Sequence, residues 1–475
     1  MPFRDFISTV ATVLPEVAKP TKPPSFREKL LWTLLALTIY LVMGEVPLFG
    51  VAPSQNDYLT YTRVIFASQQ GSLLELGIGP IVTAGLITQL LAGSELMRLD
   101  FTKPEDRALF TAFTKFLTIL VAIAQALAYT LGGLFGPVGQ ISPTAAVIIV
   151  LQLVSATVIV MLLDEVVQKG WGIGSGISLF IMGGVAQRVF WDLFSPAPWN
   201  SGGRVEFYGL VPFLVGDAPR AGLVYAVFRD YVAPSIFALV VTAAVVLLII
   251  YLEAARLEIP LASTQYRGFR ATFPLKLDYV SVVPVILSAA LITNITFFSQ
   301  FLYFRYNPGG TNPIINALVR FDPNNVQKGP IGGLVYYITS PRTLLDAMSD
   351  PLRAVTSTGF LVVFCVLFGR LWIELSGMSA DKVAENLIRS NVQVPGFRRA
   401  KEPVSALLNN FIPVVTVLSS IIVGLLAGIG NLLGVLGSGT GLLLLVSILL
   451  QYYQLLLKER IREEAPAVAR MIGLE

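Results

Sequence analysis

Residues 71–93 read GSLLELGIGPIVTAGLITQLLAG. The stretch is as apolar as a membrane span, yet Gly77, Gly79, Pro80 and Gly85 interrupt it where a simple lipid anchor would carry Leu and Ile throughout. Proline is best tolerated in the first turn of a helix, where its missing amide removes no hydrogen bond, so a helix is predicted to begin around Ile78. That start lies at membrane depth. Irregular backbone survives there only when buried in protein or lining a cavity, which makes this stretch a candidate pathway wall.

Composition supports a membrane setting. Of 475 residues, 54% are hydrophobic and 13% charged, and the mean hydropathy is +0.71, too apolar for a water-soluble globule. The chain has no His, which excludes imidazole metal sites, Ser-His or Cys-His catalysis and His proton relays. The single cysteine, Cys365, cannot form an intrachain disulfide. Ten runs of about 20 apolar residues, the length that crosses roughly 30 Å of hydrocarbon, lie near residues 30–49, 73–93, 108–132, 140–163, 173–194, 233–253, 279–300, 355–375, 407–427 and 433–456. The expected fold class is an all-α polytopic membrane protein with ten transmembrane helices.

Most of the 34 Lys and Arg fall on one side of this arrangement. By the positive-inside rule both termini are then cytoplasmic. Residues 1–29, rich in Pro, contain no long apolar core and are not a cleavable signal. They read either as a short interfacial helix, from the spacing of Phe3, Phe6, Ile7, Val10, Val13, Leu14 and Val17, or as a frayed tail. Residues 195–232 form an external linker between an N-terminal half, 30–194, and a C-terminal half, 233–456, with a cytoplasmic tail at 457–475. Five spans per half means that structural repeats would be inverted, which places functional sites at their interface. No convincing sequence self-similarity accompanies this count.

Two further glycine clusters head the fifth and tenth runs: GWGIGSGISLF (Gly170–Phe180) and GVLGSGTGLLLL (Gly434–Leu445). Neither follows a strand of a βαβ unit or ends in Gly-Lys-Ser/Thr, which argues against nucleotide phosphate binding. Close packing of helices through small residues and the lining of a cavity both remain open.

Several segments together resemble the SecY family, the protein-conducting channel subunit of the Sec translocon. They are GIGPIVTAGLITQLL (77–91), PEDRALF (104–110), LDE with GIGSGISLF (163–180), VPVILSAAL (283–291), GFRRAKE (396–402) and GSGTGLLL (437–444). They run in order along essentially the whole chain, and the first is closer in form to archaeal and eukaryotic members than to bacterial ones. The resemblance implies two inverted five-helix halves around a central pore closed by an aliphatic ring. Matched motif by motif, that ring comprises Ile78, Val82, Ile177, Ile181, Ile286 and Leu444. It further implies a re-entrant plug formed by Thr60, Tyr61, Thr62, Arg63, Val64, Ile65, Phe66, Ala67, Ser68, Gln69 and Gln70. A lateral gate is implied at Thr83, Gln125 and Asn294, with Gln125 standing where some relatives carry an acid.

Two basic cytoplasmic loops, 256–276 and 376–402, carry the docking residues Arg267, Arg270, Lys276, Arg398 and Arg399; the first is compatible with a hairpin turning at Arg267-Gly268. Positive-inside bias alone accounts for their charge, and the resemblance adds a ribosome whose RNA phosphates they meet. Other implied partners are SecE-type (gamma) and small beta-type subunits, signal sequences, nascent polypeptides and the lipid bilayer. The implied location is the cell (plasma) membrane. No cofactor, metal or enzymatic activity is expected. A secondary solute or ion transporter with inverted repeats is the competing reading. It would place ionisable groups at mid-membrane, whereas Glu45, Lys115, Asp164, Glu165 and Glu253 sit toward span ends.

Overall fold

Among the described residues between Glu45 and Gly79, 46–51, 67–69 and 71–78 form no helix: Pro47 disfavours the helical conformation at Val46, and the glycines at 71 and 77 take positive φ of 68° and 53°. The backbone there is nonetheless paired. Leu48 N donates to Gly71 O and Leu73 N to Val46 O, and successive turns run from Gly77 N to Leu74 O and from Gly79 N to Leu76 O. The computed structural model describes residues 7, 9, 12, 14–51, 67–69, 71–93, 103–131, 135, 142–201, 204–229, 233–263, 270–277, 279–280, 282–307, 310–321, 330–341, 344–389, 392–393 and 401–464.

Ten longer helices organise these residues. They are α1 (Phe26–Glu45), α2 (Gly79–Gly93), α3 (Pro104–Leu131), α4 (Pro143–Val166) and α5 (Gly176–Phe194), then α6 (Ile236–Ala254), α7 (Val283–Tyr306), α8 (Pro351–Ser376), α9 (Lys401–Leu432) and α10 (Gly439–Glu464). The eight from α3 to α10 are long and apolar enough to cross a membrane. α2 has 15 residues, and α1 has 20 with Arg27, Glu28 and Lys29 in its first turn. α2 begins one residue after Ile78, with Pro80 in its first turn, as the sequence predicts.

Other helices run past the apolar runs. α1 starts at Phe26 because Ser25 and Glu28 form a reciprocal capping box. α4 starts at Pro143 behind the Ser142 cap, and α9 and α10 extend through Lys401-Glu402 and Lys458–Glu464, past the ends of the apolar runs. Charged residues end an apolar run without ending a helix.

The glycine clusters prove to be sites of close packing, and both use the same device. The Asp164 carboxylate on α4 accepts from Ile177 N at 2.9 Å at the start of α5, where Ser175 makes no side-chain cap. On α9, Asn431 Oδ1 accepts from Gly439 N at 2.8 Å and Thr440 N at 3.3 Å at the start of α10. In each half a polar side chain near the end of one helix therefore caps the next. A Cβ on Gly176 would lie 2.5 Å from Asp164 Cα, and one on Gly439 would lie 2.2 Å from Asn431 N. Amides of both first turns are thereby held from within the chain, which argues against a phosphate there.

The linker region is folded. β1 (Pro198–Ser201) and β2 (Arg204–Phe207) form an antiparallel hairpin followed by helical turns at Leu210–Gly216, Ala218–Ala221 and Leu223–Val227. On the other side, β3 (Arg256–Ser263) and β4 (Arg270–Lys276) make the hairpin expected there, in register from Arg256↔Lys276 to Ala262↔Arg270. A short strand, Val392–Gln393, adds to β3 through Ala262 and Ser263, so the two basic loops share one sheet. The interfacial-helix reading of the N-terminus falls largely outside the described residues. Residues 14–25 lie extended against the π turn Val167–Trp171 that follows α4. Val17 N donates to Glu165 Oε2, Trp171 Nε1 donates to Ala18 O, and Lys169 bonds Val17 O and Glu16.

Two outcomes test this account. Asp164→Ala or Asn431→Ala should each cost about 1–2 kcal/mol, the usual cost of a lost cap, read as a lower unfolding temperature in detergent, while Glu105→Ala on the α3 surface should leave it unchanged. Lys169 holds the Glu16 carboxyl below its ordinary value. A depressed pKa means that the stabilising tie is complete above the unfolded-state value of about 4.3 and is lost as pH falls through the lower folded-state value. The Glu16 carboxyl, followed by the chemical shift of its carboxyl carbon, should thus titrate below about 4.3 and return to that value in Lys169→Met.

Candidate functional site

Ile78 stands at the cap position of α2, its carbonyl accepting from Val82 N at 3.0 Å, so the two side chains rise one turn apart on one face. Ile177 and Ile181 do the same in the first turns of α5. The structure gathers these four with Ile286 of α7 and Leu444 of α10 into a single apolar cluster. Ile78, Ile181 and Leu444 have no water-accessible surface, Val82 and Ile286 are buried, and Ile177 is half-buried against the rest. All six positions singled out from the sequence are thus brought together where both halves contribute, α2 and α5 from one, α7 and α10 from the other. The six side chains are all aliphatic, within a larger apolar cluster that also holds Tyr40 and Phe180. They offer no hydrogen bond to a passing chain and no site where an ion would shed its water favourably.

Beneath this cluster lies the end of the segment read as a plug. Residues 60–66 and 70 fall outside the described residues; Ala67, Ser68 and Gln69 are seated. Ala67 belongs to the same apolar cluster. Its carbonyl accepts the Tyr40 hydroxyl, whose ring stacks on Phe180 with centroids 4.3 Å apart. A Cβ on Gly184 would stand 2.7 Å from that of Ala67, so only glycine leaves the room that Ala67 occupies. Gln69 Nε2 donates to Gln187 at 2.9 Å, and Gln187 in turn to Glu45 at 3.1 Å. Tyr40, Phe180, Gly184 and Gln187 escaped the sequence reading. The Gly183-Gly184 pair one turn beyond Phe180 was the available signal, because paired glycines inside a span mark a close approach.

The three polar residues proposed for the seam are bonded to one another. Asn294 Nδ2 on α7 donates to Thr83 Oγ1 on α2 at 2.9 Å, and Gln125 Nε2 on α3 donates to Asn294 Oδ1 at 3.3 Å. All three are buried. One turn along, Tyr129 packs on Phe297 with ring centroids 4.6 Å apart. The opposite junction of the two halves is tied differently. Asp192 on α5 accepts from Gly437 N at 3.3 Å and from the Tyr208 hydroxyl at 3.0 Å, and within the C-terminal half Thr242 on α6 accepts from the neighbouring Leu436 N at 3.0 Å.

Of the basic docking candidates, Arg267, Arg398 and Arg399 lie outside the described residues. Arg270 opens β4. Lys276 closes it, with its Nζ 3.3 Å from Gln454 on α10. Among the described residues no group of His, Cys, Asp and Glu could hold a metal ion.

Comparison with known proteins agrees with this geometry. The chain matches the SecY family profile over residues 72–453 and that of the plug domain of Sec61p over residues 39–71. It is 40% identical to the protein translocase subunit SecY of Pyrococcus horikoshii over 98% of this chain and 99% of that one. With the protein transport protein Sec61 subunit alpha of Dictyostelium discoideum it shares 38% identity, over 96% of this chain and 97% of the relative. Among solved structures it superposes on a protein-conducting channel with a TM-score of 0.79 and 34% identity, covering 97% of this chain and 98% of that one. On Sec61 in a canine ribosome-channel complex from the endoplasmic reticulum the TM-score is 0.77, again at 34% identity and the same coverage.

If Ala67 seats the segment below the cluster, Gly184→Val should displace it and raise resting ion conductance in planar bilayers. Tyr40→Phe, which removes one hydrogen bond of about 1 kcal/mol, should raise the resting open fraction roughly five-fold.

Proposed function

The chain belongs to the SecY family of protein translocase subunits, and from that premise we propose how its parts divide the work. The observation that carries the reading is that Ile78, Val82, Ile177, Ile181, Ile286 and Leu444, drawn from both halves, share one apolar cluster, five of them buried. Together these six serve as a pore ring that yields to an unfolded secretory polypeptide without selecting its sequence and otherwise excludes water and ions. The plug, residues 60–70, closes the funnel beneath it. Ten membrane crossings, with α1 and the short α2 among them, form an N-terminal half at 30–194 and an inverted C-terminal half at 233–456. The segments 1–29 and 457–475 then lie in the cytoplasm and 195–232 outside, in a cell membrane.

The bonded triad Thr83, Gln125 and Asn294 is the latch of a lateral gate. Uncharged hydrogen bonds between spans contribute about 1 kcal/mol each, strong enough to hold the seam at rest and weak enough for an entering apolar segment to replace. Signal sequences and membrane segments leave through it into lipid, according to their apolar transfer energy. The sheet that joins the basic loops supports one docking surface for a ribosome, with Arg267, Arg270, Lys276, Arg398 and Arg399 meeting RNA phosphates. The solved relatives include channels bound to ribosomes. SecE-type and small beta-type subunits complete the complex. The transporter alternative is not favoured, since the relatives are protein translocases.

Replacing Ile78, Val82 and Ile181 together by Ser should make the resting channel leak ions in planar bilayers, and unchanged conductance counts decisively against the ring. Asn294→Leu removes both bonds of the latch, about 2 kcal/mol in all. It should alter the hydrophobicity threshold at which test segments enter lipid, and an unaltered threshold rejects the gate. Charge reversal at Arg398 or Arg270 should weaken ribosome binding, with a shallower dependence on salt, while membrane insertion of the channel persists.

A further inference from the structure

The segment between α5 and α6 is built inside out. On β2, Glu206 points inward and is buried, whereas Val205 is 72% and Phe207 40% exposed. Its partner Arg229 is also buried: it lies 3.4 Å from Glu206, stacks over the Phe213 ring at 3.8 Å and donates to the carbonyls of Phe207, Tyr208 and Pro234. The ion pair is thus the core of this small unit. Leu210, Phe213 and Ala226 share that core, but many of the other apolar residues face out. In the turn Leu210–Gly216, Leu210 and Phe213 are buried while Val211, Leu214 and Val215, which share the opposite face, are exposed. Val224 and Phe228, one turn apart, continue this surface at 79% and 59% exposure.

Exposed apolar surface gathered in one unit marks an interaction site. Its position identifies the occupant. Phe228 packs on Phe237 in the first turn of α6 with centroids 5.4 Å apart, and α6 then presents Val240, Leu247 and Leu248 outward, the surface that faces lipid. On the other flank the last turns of α5 expose Phe190, Trp191 and Phe194, aromatic residues of the kind that settle at the membrane–water boundary. The apolar face of the linker is therefore continuous with the lipid-facing belt on both sides of it. We propose that the 204–228 unit is a membrane-surface anchor, seated with Val211, Val215, Val224 and Phe228 in the headgroup boundary of the leaflet from which it emerges. It binds lipid whichever side of the membrane that is. The proposal rests on α5 and α6 being spans.

The test uses the full chain reconstituted in phosphatidylcholine vesicles, with bimane attached to Val215→Cys, Val224→Cys and, as a reference on the same unit, Arg204→Cys; Cys365 is buried and stays in place. If the face sits about 5–10 Å into the headgroup boundary, lipids spin-labelled near the headgroup should quench positions 215 and 224 roughly three-fold more than 204, and aqueous iodide should show the reverse order. Equal iodide quenching at all three positions, with none from spin-labelled lipid, overturns the proposal in favour of a water-exposed face. Protection of 215 and 224 from both quenchers overturns it in favour of a protein cover. A label at Leu247→Cys, quenched by spin label deep in the acyl chains, separates these outcomes from failure of the span assignment: without that quenching, both readings fall.

Discussion

Inside hydrocarbon there is no water to take up an unpaired amide or carbonyl, and the whole structure is arranged around that constraint. A pore that can open needs helices that begin within the membrane, and each such beginning frees amides. The chain satisfies them with side chains from the element immediately before: Asp164 for α5 and Asn431 for α10. For α2 the satisfaction comes from paired turns between residues 71 and 79. The glycines of these segments follow from the same need, because a cap reaches the next helix only if the two backbones nearly touch. Ring and cap are thereby coupled: Ile177, an aliphatic residue of the pore cluster, is also the residue whose amide Asp164 holds.

Legibility in the sequence tracked the range of the physics involved. The start of α2 was readable because proline and glycine act on their own dihedrals, and the long helices because length and hydropathy are local sums. Helix ends were misplaced by several residues where charged turns continue a helix into water, as in α1 and α9. The six aliphatic positions could not be told from ordinary span residues by pattern, because an isoleucine in lipid and one in a protein interior look alike; the matched motifs alone singled them out. Tyr40 and Ala67, 27 residues apart, meet through a side chain and a carbonyl that leave no periodic trace. The folded linker was missed for a different reason. Elements of four to seven residues contain too few turns of any period to register, and a unit whose charges point inward defeats the usual rule for choosing its core.

The two junctions between the halves differ in kind. At the seam, neutral amide and hydroxyl groups bond across three helices. At the opposite side a carboxylate, Asp192, receives a backbone amide of the other half and a tyrosine of the linker, and Arg188 lies 3.3 Å from it. Charge-assisted bonds are about twice as strong as neutral ones, so the two edges differ in the kind of bond that holds them.

The seating of Ala67 has a further consequence. The bonds described for residues 67–69 run to α1 and α5, and through Gln187 to Glu45, all before residue 195. Parting α2 from α7 breaks none of them. The described end of this segment is therefore fastened to one half of the molecule, by bonds separate from the triad that joins α2, α3 and α7.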